Sequence, residues 1–243
     1  MTDTVARYFD DILARLTDLR DSAAAPLAAA TEAVLDVLDR GGRVFVFGTG
    51  HSHTMAEETH FRAGGPAFTV PILSGPTTVQ DGAVAGTVYE RLSGIVAPIL
   101  DRYGVGDRDM LIVVSNSGVN TAPVEAAQIA KDRGAVVVAV TSQTYSAHAA
   151  RGRVRIADIA DIVLDNGGPA GDAAIALKGS EMHVGPVSTV IGATLLNALF
   201  ADVAQRLVDR GEDVPVYRSA NMEGADEINA KLVARYRDRN PHL

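Results

Sequence analysis

Two short loops hold most of the side chains able to do chemistry. The first, Gly48-Thr49-Gly50-His51-Ser52-His53, ends an apolar run, and its glycines let backbone N–H groups turn toward an anion. A helix starting there adds its dipole, so the turn reads either as a phosphate cradle or as a tight strand-to-helix connection. A dinucleotide fits it worse. His53 replaces the third glycine of G-x-G-x-x-G, and no acidic residue ends the second apolar run near Leu73. The Walker pattern is missing too. The second loop, Ser115-Asn116-Ser117-Gly118-Val119-Asn120-Thr121, precedes a helix with Pro123 in its first turn and Glu125 close behind. Capping that helix needs only Asn120 or Thr121, which leaves Ser115, Ser117 and Gly118 unexplained. Hydroxyl and amide donors at a helix N-terminus bind a phosphate dianion without a fixed cation, which suits a sugar phosphate that must enter and leave.

Titratable groups gather nearby. A helix over residues 53–62 puts His53, Glu57 and His60 on one stripe and pairs Glu58 with Arg62 at i, i+4. Glu58 and Arg62 then read as a surface ion pair or as site groups, and Glu57 is the sharper acid/base candidate. Glu181-Met182-His183 stands just before a long apolar segment, where the residues alone read as an ordinary loop before a helix. His51, His53, His60 and Glu57 are of types that ligate zinc, but the H-x-H lies in a glycine turn and matches no known ligand spacing. Neither a metal nor an organic cofactor is expected.

The elements that must carry these groups are legible. Residues 5–19 place Val5, Tyr8, Phe9, Ile12, Leu13, Leu16 and Leu19 on one helical stripe, and an Ala-rich helical pattern over 26–38 ends at Gly41-Gly42. Short apolar runs then recur at 44–47, 69–73, 110–114, 135–140 and 162–164, most of them separated by helical stretches. Apolar strands alternating with helices predict a doubly wound α/β fold, a five-stranded parallel sheet covered on both faces. Helices are expected over 188–207 and 224–237. The whole chain reads as one domain, with N-terminal helices to residue 40, a core over 41–170 and a closing segment over 171–243.

Composition narrows the classes. Dividing 243 residues by a typical domain of roughly 150 gives one large or decorated domain. With 47% hydrophobic and 21% charged residues the chain can bury a core. A charge of 22 minus 30, or −8, opposes nucleic-acid binding. The absence of cysteine excludes thiolate catalysis and cysteine-ligated metals. An acidic N-terminus and the lack of an uncharged apolar stretch of about 18 residues predict a cytoplasmic protein with no membrane partner.

Gly48, Gly50 and Ser52 with Ser115, Ser117 and Gly118 resemble the sugar isomerase (SIS) domains, whose signature is G-x-G-x-S after the first strand and S-x-S-G-x-[ST] after the third. Asn120 departs from it, standing where Ser or Thr is usual, with Thr121 beside it. The resemblance covers residues 30–170 and implies a flavodoxin-like three-layer sandwich, phosphosugar binding by Gly48, Gly50, His51, Ser52, Ser115, Asn116, Ser117, Gly118, Asn120 and Thr121, and no required metal. More closely, Gly48–His53, Arg62-Ala63-Gly64-Gly65, Ser188-Thr189 and Ser219–Gly224 are similar to a bacterial subgroup linked to dehydration of N-acetylglucosamine 6-phosphate. That likeness implies a lyase, with aldose–ketose isomerisation as the background chemistry. Either reaction starts by removing the acidic proton at C2, with Glu57 or Glu58 as base and His183 or Glu181 as acid for loss of the C3 hydroxyl. A non-catalytic phosphosugar sensor is the rival reading, against which stand these titratable groups and the lack of a basic DNA-reading domain before the first strand. SIS domains usually pair, so a homodimer or dimer of dimers with the site near the interface is expected.

Overall fold

A computed structural model describes residues 2–243. Two helices lead, α1 (Asp3–Ser22) and α2 (Ala24–Asp39), followed by β1 (Val44–Gly48), a 3-10 turn at Gly50–His53, α3 (Thr54–Glu58) and β2 (Thr69–Ile72). Next come α4 (Ala83–Tyr89), α5 (Val96–Tyr103), β3 (Met110–Val114), α6 (Thr121–Asp132), β4 (Val136–Thr141), α7 (Gln143–Ala150), α8 (Ile156–Ile159) and β5 (Ile162–Asp165). A two-stranded hairpin, β6 (Ile175–Ala176) and β7 (His183–Val184), precedes the long α9 (Ser188–Asp209) and then α10 (Ala225–Tyr236).

The five main strands lie in the order β2-β1-β3-β4-β5, all parallel, with Val44 opposite both Thr69 and Met110. Successive strand residues point to opposite faces, and here both faces are apolar. Val44, Val46, Met110, Ile112, Val114, Val138 and Val140 pack against α2, α3 and α9. Phe45, Phe47, Leu111, Val113, Val137 and Ala139 pack against α5, α6 and α8 on the other side. Alanines 122, 126, 127 and 130 let α6 lie close to the sheet. Fully burying an Ile or Leu such as Ile112 or Leu195 contributes about 1.5–3 kcal/mol, so the central strands are secured by both layers. Among the described residues α9 is the helix long and apolar enough to cross a membrane, and the core explains that composition: Ile191, Leu195, Leu199 and Val203 are buried in it.

One local expectation differs from the structure. The helix foreseen over 53–62 stops at Glu58: the Thr59 backbone leaves the helical conformation, the His60 amide takes the Glu57 carbonyl at 3.1 Å in a tighter turn, and Phe61 follows at φ +42°. His60 therefore leaves the His53–Glu57 stripe and packs edge-on against His242, with ring centroids 6.0 Å apart. The stretch between β2 and β3 holds α4 and α5, in keeping with strands that alternate with helices.

Candidate functional site

In a sheet of order 2-1-3-4-5 the strand order reverses between β1 and β3, and the loops after those two strands part to leave a crevice. The β1 turn is built tightly. A Cβ on Gly48 would lie 2.4 Å from the Ser52 carbonyl oxygen, so only glycine permits the chain to fold back there. The Ser52 amide donates to the Thr49 carbonyl at 3.0 Å, and the Thr54 hydroxyl donates to the His51 carbonyl at 2.8 Å. His53, 2% exposed, contacts the Gly50 carbonyl through Nδ1 and turns Nε2 toward Glu57 Oε2 at 3.7 Å.

The β3 loop is equally fixed. The Gly118 amide donates to Ser115 Oγ at 3.1 Å, and the Asn116 carbonyl accepts from the Ser142 amide and the Thr141 hydroxyl, each at 3.2 Å. Asn116 Oδ1 accepts from Asn166 Nδ2 at 3.0 Å, while Asn116 Nδ2 is buried with no hydrogen-bond partner. An unpaired buried amide donor costs about 1–3 kcal/mol, as it does for the Thr31, Ser146 and Tyr217 hydroxyls, which are buried and unpaired in the same way.

Those loops wall a cavity of about 300 Å³. His51, Ser52 and Met55 line it from the β1 side, Val114 and Asn116 from β3, Asn166 from the loop after β5, and Asp172, Pro186, Ser188 and Thr189 from the closing segment. Hydroxyls and amides of Ser52, Asn116, Asn166, Ser188 and Thr189 lie there beside the apolar Met55, Val114 and Pro186, and no Lys or Arg is among the described residues lining it. Asp172, at φ +57°, does not point its charge freely inward: its carboxylate accepts from the Val187 amide (3.0 Å), the Ser188 amide (2.8 Å) and the Ser188 hydroxyl (2.6 Å). It thereby caps α9 from outside the helix, in place of Val187, which has no side chain for the task.

The residues singled out in the sequence divide clearly. His51, Ser52 and Asn116 line the cavity, whereas Gly48, Gly50, Ser115 and Gly118 shape the two loops and Ser117 is half-buried in the second. Asn120 and Thr121 are turned away to another partner: Asn120 Nδ2 donates to Glu90 at 3.0 Å and Thr121 Oγ1 to the Arg91 carbonyl at 3.1 Å. Neither side chain caps α6, because the helix amide of Ala122 is taken by the Glu90 carbonyl at 2.9 Å. Glu57 is 43% exposed and accepts from Gln80 Nε2 at 3.2 Å. Glu58 pairs with Arg62 and accepts from Asn197 Nδ2 at 3.2 Å, eight residues along α9 from Thr189 and so about 12 Å down that helix from the cavity. Glu181 and His183 sit on the exposed β6–β7 hairpin and do not line the cavity. Sequence reasoning missed Asn166, Asp172 and Glu90. Asn166 was findable as the residue following a strand, but nothing local marks the other two.

The fold is a doubly wound α/β sheet with a cavity at its switch point, the place where sheets of this kind take their ligands. A family model described as the SIS domain matches residues 7–142, and the chain belongs to that family. It is 59% identical to a UPF0309 protein of Brucella anthropi over 243 residues, all of both chains. Its fold is similar to that of the phosphoheptose isomerase GmhA from Neisseria gonorrhoeae (TM-score 0.56, 18% identity, covering 83% of this chain and 97% of that one). It is also similar to that of the Vibrio vulnificus NanR protein complexed with ManNAc-6P (TM-score 0.50, 15% identity, 97% and 70%).

Proposed function

We propose that this is a cytoplasmic phosphosugar enzyme that dehydrates N-acetylglucosamine 6-phosphate. The observation that carries the reading is the switch-point cavity to which Ser52, Ser188, Thr189, Asn116 and Asn166 bring hydroxyls and amides. Such a wall matches a sugar's hydroxyls and acetamido group, and neutral donors of this kind bind a phosphate without a fixed cation. The fold likeness to a phosphoheptose isomerase and to a protein complexed with ManNAc-6P supports the same ligand class.

In the open-chain sugar a base removes the C2 proton, the electron pair moves toward the C1 carbonyl, and the enolate expels the C3 hydroxyl, which leaves as water once an acid has protonated it. Glu57 is the base: it is exposed, on the helix that follows the β1 turn, and bound to no Lys or Arg among the described residues. Glu58 is committed to Arg62 and Asn197. His51, the histidine lining the cavity, is the acid within one chain; Glu181 and His183 serve only where their hairpin meets the site of a second copy. Pairing of two copies is supported by Val5, Phe9 and Leu13, at i, i+4 and i+8 on α1 and 44%, 58% and 61% exposed.

Incubation with N-acetylglucosamine 6-phosphate in deuterated water tests this. Loss of one water together with the C2 proton is the expected result, and Glu57→Gln abolishes it. Deuterium exchange at C2 without mass loss moves the assignment to the aldose–ketose isomerase, which the phosphoheptose isomerase likeness favours as the second reading. Tight binding with neither change makes the chain a sensor.

A further inference from the structure

We infer that residues 80–91 form a strap that keeps the site closed in place of ligand, with Glu90 lending its carboxylate to donors that a substrate phosphate then takes over. The inference rests on the phosphosugar reading above and adds to it how the site opens. Glu90 is only 14% exposed on its side chain, and both oxygens are used. Oε2 accepts from Thr49 Oγ1 at 2.8 Å, in the β1 turn, and Oε1 accepts from Asn120 Nδ2 at 3.0 Å, in the β3 loop, and from Arg91 Nη1 at 2.8 Å. The Thr49 hydroxyl and the Asn120 amide, which lie outside the strap, are donors that a phosphate oxygen takes as a carboxylate does, while Arg91 travels with the strap. The other end of the strap covers the base, since Gln80 donates to Glu57 Oε1. One segment therefore latches both halves of the site.

The strap is built to move. Within α4 only Gly86 is buried, whereas Val84, Val88 and Leu92 are 84%, 54% and 48% exposed, so little apolar contact holds it down. Gly82 (φ +119°) and Gly94 (φ +82°) bracket it, each in backbone conformations only glycine takes up easily, and Gly94 is pinned through its amide by the Glu125 carboxylate. What remains is polar: the Glu90 and Gln80 side-chain latches, and the bonds by which the start of α6 holds the Glu90 and Arg91 carbonyls at the end where the strap is anchored.

A competing internal anion makes an unusual prediction: removing it strengthens binding. Glu90→Gln keeps the shape and loses the charge, so N-acetylglucosamine 6-phosphate and inorganic phosphate should bind about tenfold more tightly by calorimetry, the worth of one charge-assisted hydrogen bond not broken. Unphosphorylated N-acetylglucosamine should not gain. Because the chain has no cysteine, Val88→Cys gives a single labelling position on the exposed face of the strap, and an environment-sensitive dye there should respond to the sugar phosphate. This second readout stands even where Glu90→Gln fails to fold. Binding by the wild-type chain with a silent dye, or with unchanged or weaker affinity in folded Glu90→Gln, overturns the strap and leaves the phosphosugar reading intact. Failure of the wild-type chain and of Glu90→Gln to bind the sugar phosphate overturns both.

Discussion

Replacing Asp172 tests how the cavity is held together. Its carboxylate makes three hydrogen bonds to the start of α9, two of them to backbone amides that have no other partner within the helix. Losing a helix cap costs about 1 kcal/mol, and up to about 2 where the cap is well made. Removing a negative charge from a helix N-terminus costs a further 0.3–1 kcal/mol or so, roughly. The residue sits at φ +57°, where Ala is strained by roughly another 1 kcal/mol relative to Gly. Asp172→Ala should therefore lose about 3 kcal/mol, Asp172→Gly about 2 and Asp172→Asn about 1, the amide keeping one good acceptor. In a chain of this size the Ala variant corresponds to a fall in melting temperature of about 6–12 °C. Thermal and urea denaturation of the three variants measures the order. A fall below about 1 °C for Asp172→Ala, or an Ala variant as stable as the Gly variant, refutes the reasoning. The substitution also reaches the site, because Ser188, Thr189 and Pro186 line the cavity that Asp172 braces, so sugar-phosphate affinity should weaken along with stability.

Gly48→Ala drives a Cβ to within 2.4 Å of the Ser52 carbonyl oxygen, and the turn cannot yield without moving His51 and Ser52. It should cost about 2–3 kcal/mol and abolish ligand binding, and a variant that melts like the wild type and binds normally contradicts the close approach. Burial, with His242 close by, holds the His60 imidazole below its ordinary value of 6.5, and burial with Arg102 nearby does the same to His242. The unfolded chain therefore takes up protons that the folded chain refuses, so stability is full above about pH 6.5 and declines as the pH falls below it. His242→Gln, which also breaks the 2.8 Å contact with the Tyr103 hydroxyl, should flatten that decline in denaturation curves taken between about pH 7 and pH 5, and an unchanged slope refutes it.

Much of the fold is legible in one dimension because its signals are local. The five apolar runs are strands within a residue or two, and β3 falls at residues 110–114 as its pattern predicts. Both faces of each strand are buried, and an unbroken apolar run is the direct imprint of that. The two loops were marked by their glycines and short polar side chains, and His51, Ser52 and Asn116 line the cavity. The stripe through His53, Glu57 and His60 misled because periodicity assumes a helix that continues, whereas the backbone tightens at His60 and turns left-handed at Phe61.

What the sequence by itself determined is the parallel α/β architecture, its SIS-type loops and the kind of ligand those loops suit. Which side chains complete the site was decided only in three dimensions. Glu90 reaches Thr49 41 residues away and Asn120 30 residues away, and Asp172 caps a helix that begins 16 residues later. Neither carboxylate obeys a spacing rule, because each is placed by how separate elements pack and not by the turn of a single helix or the pleat of a single strand. The physical reason is range: hydrophobic periodicity and glycine turns act between near neighbours in the chain, whereas a buried charge must find its donors wherever the fold brings them.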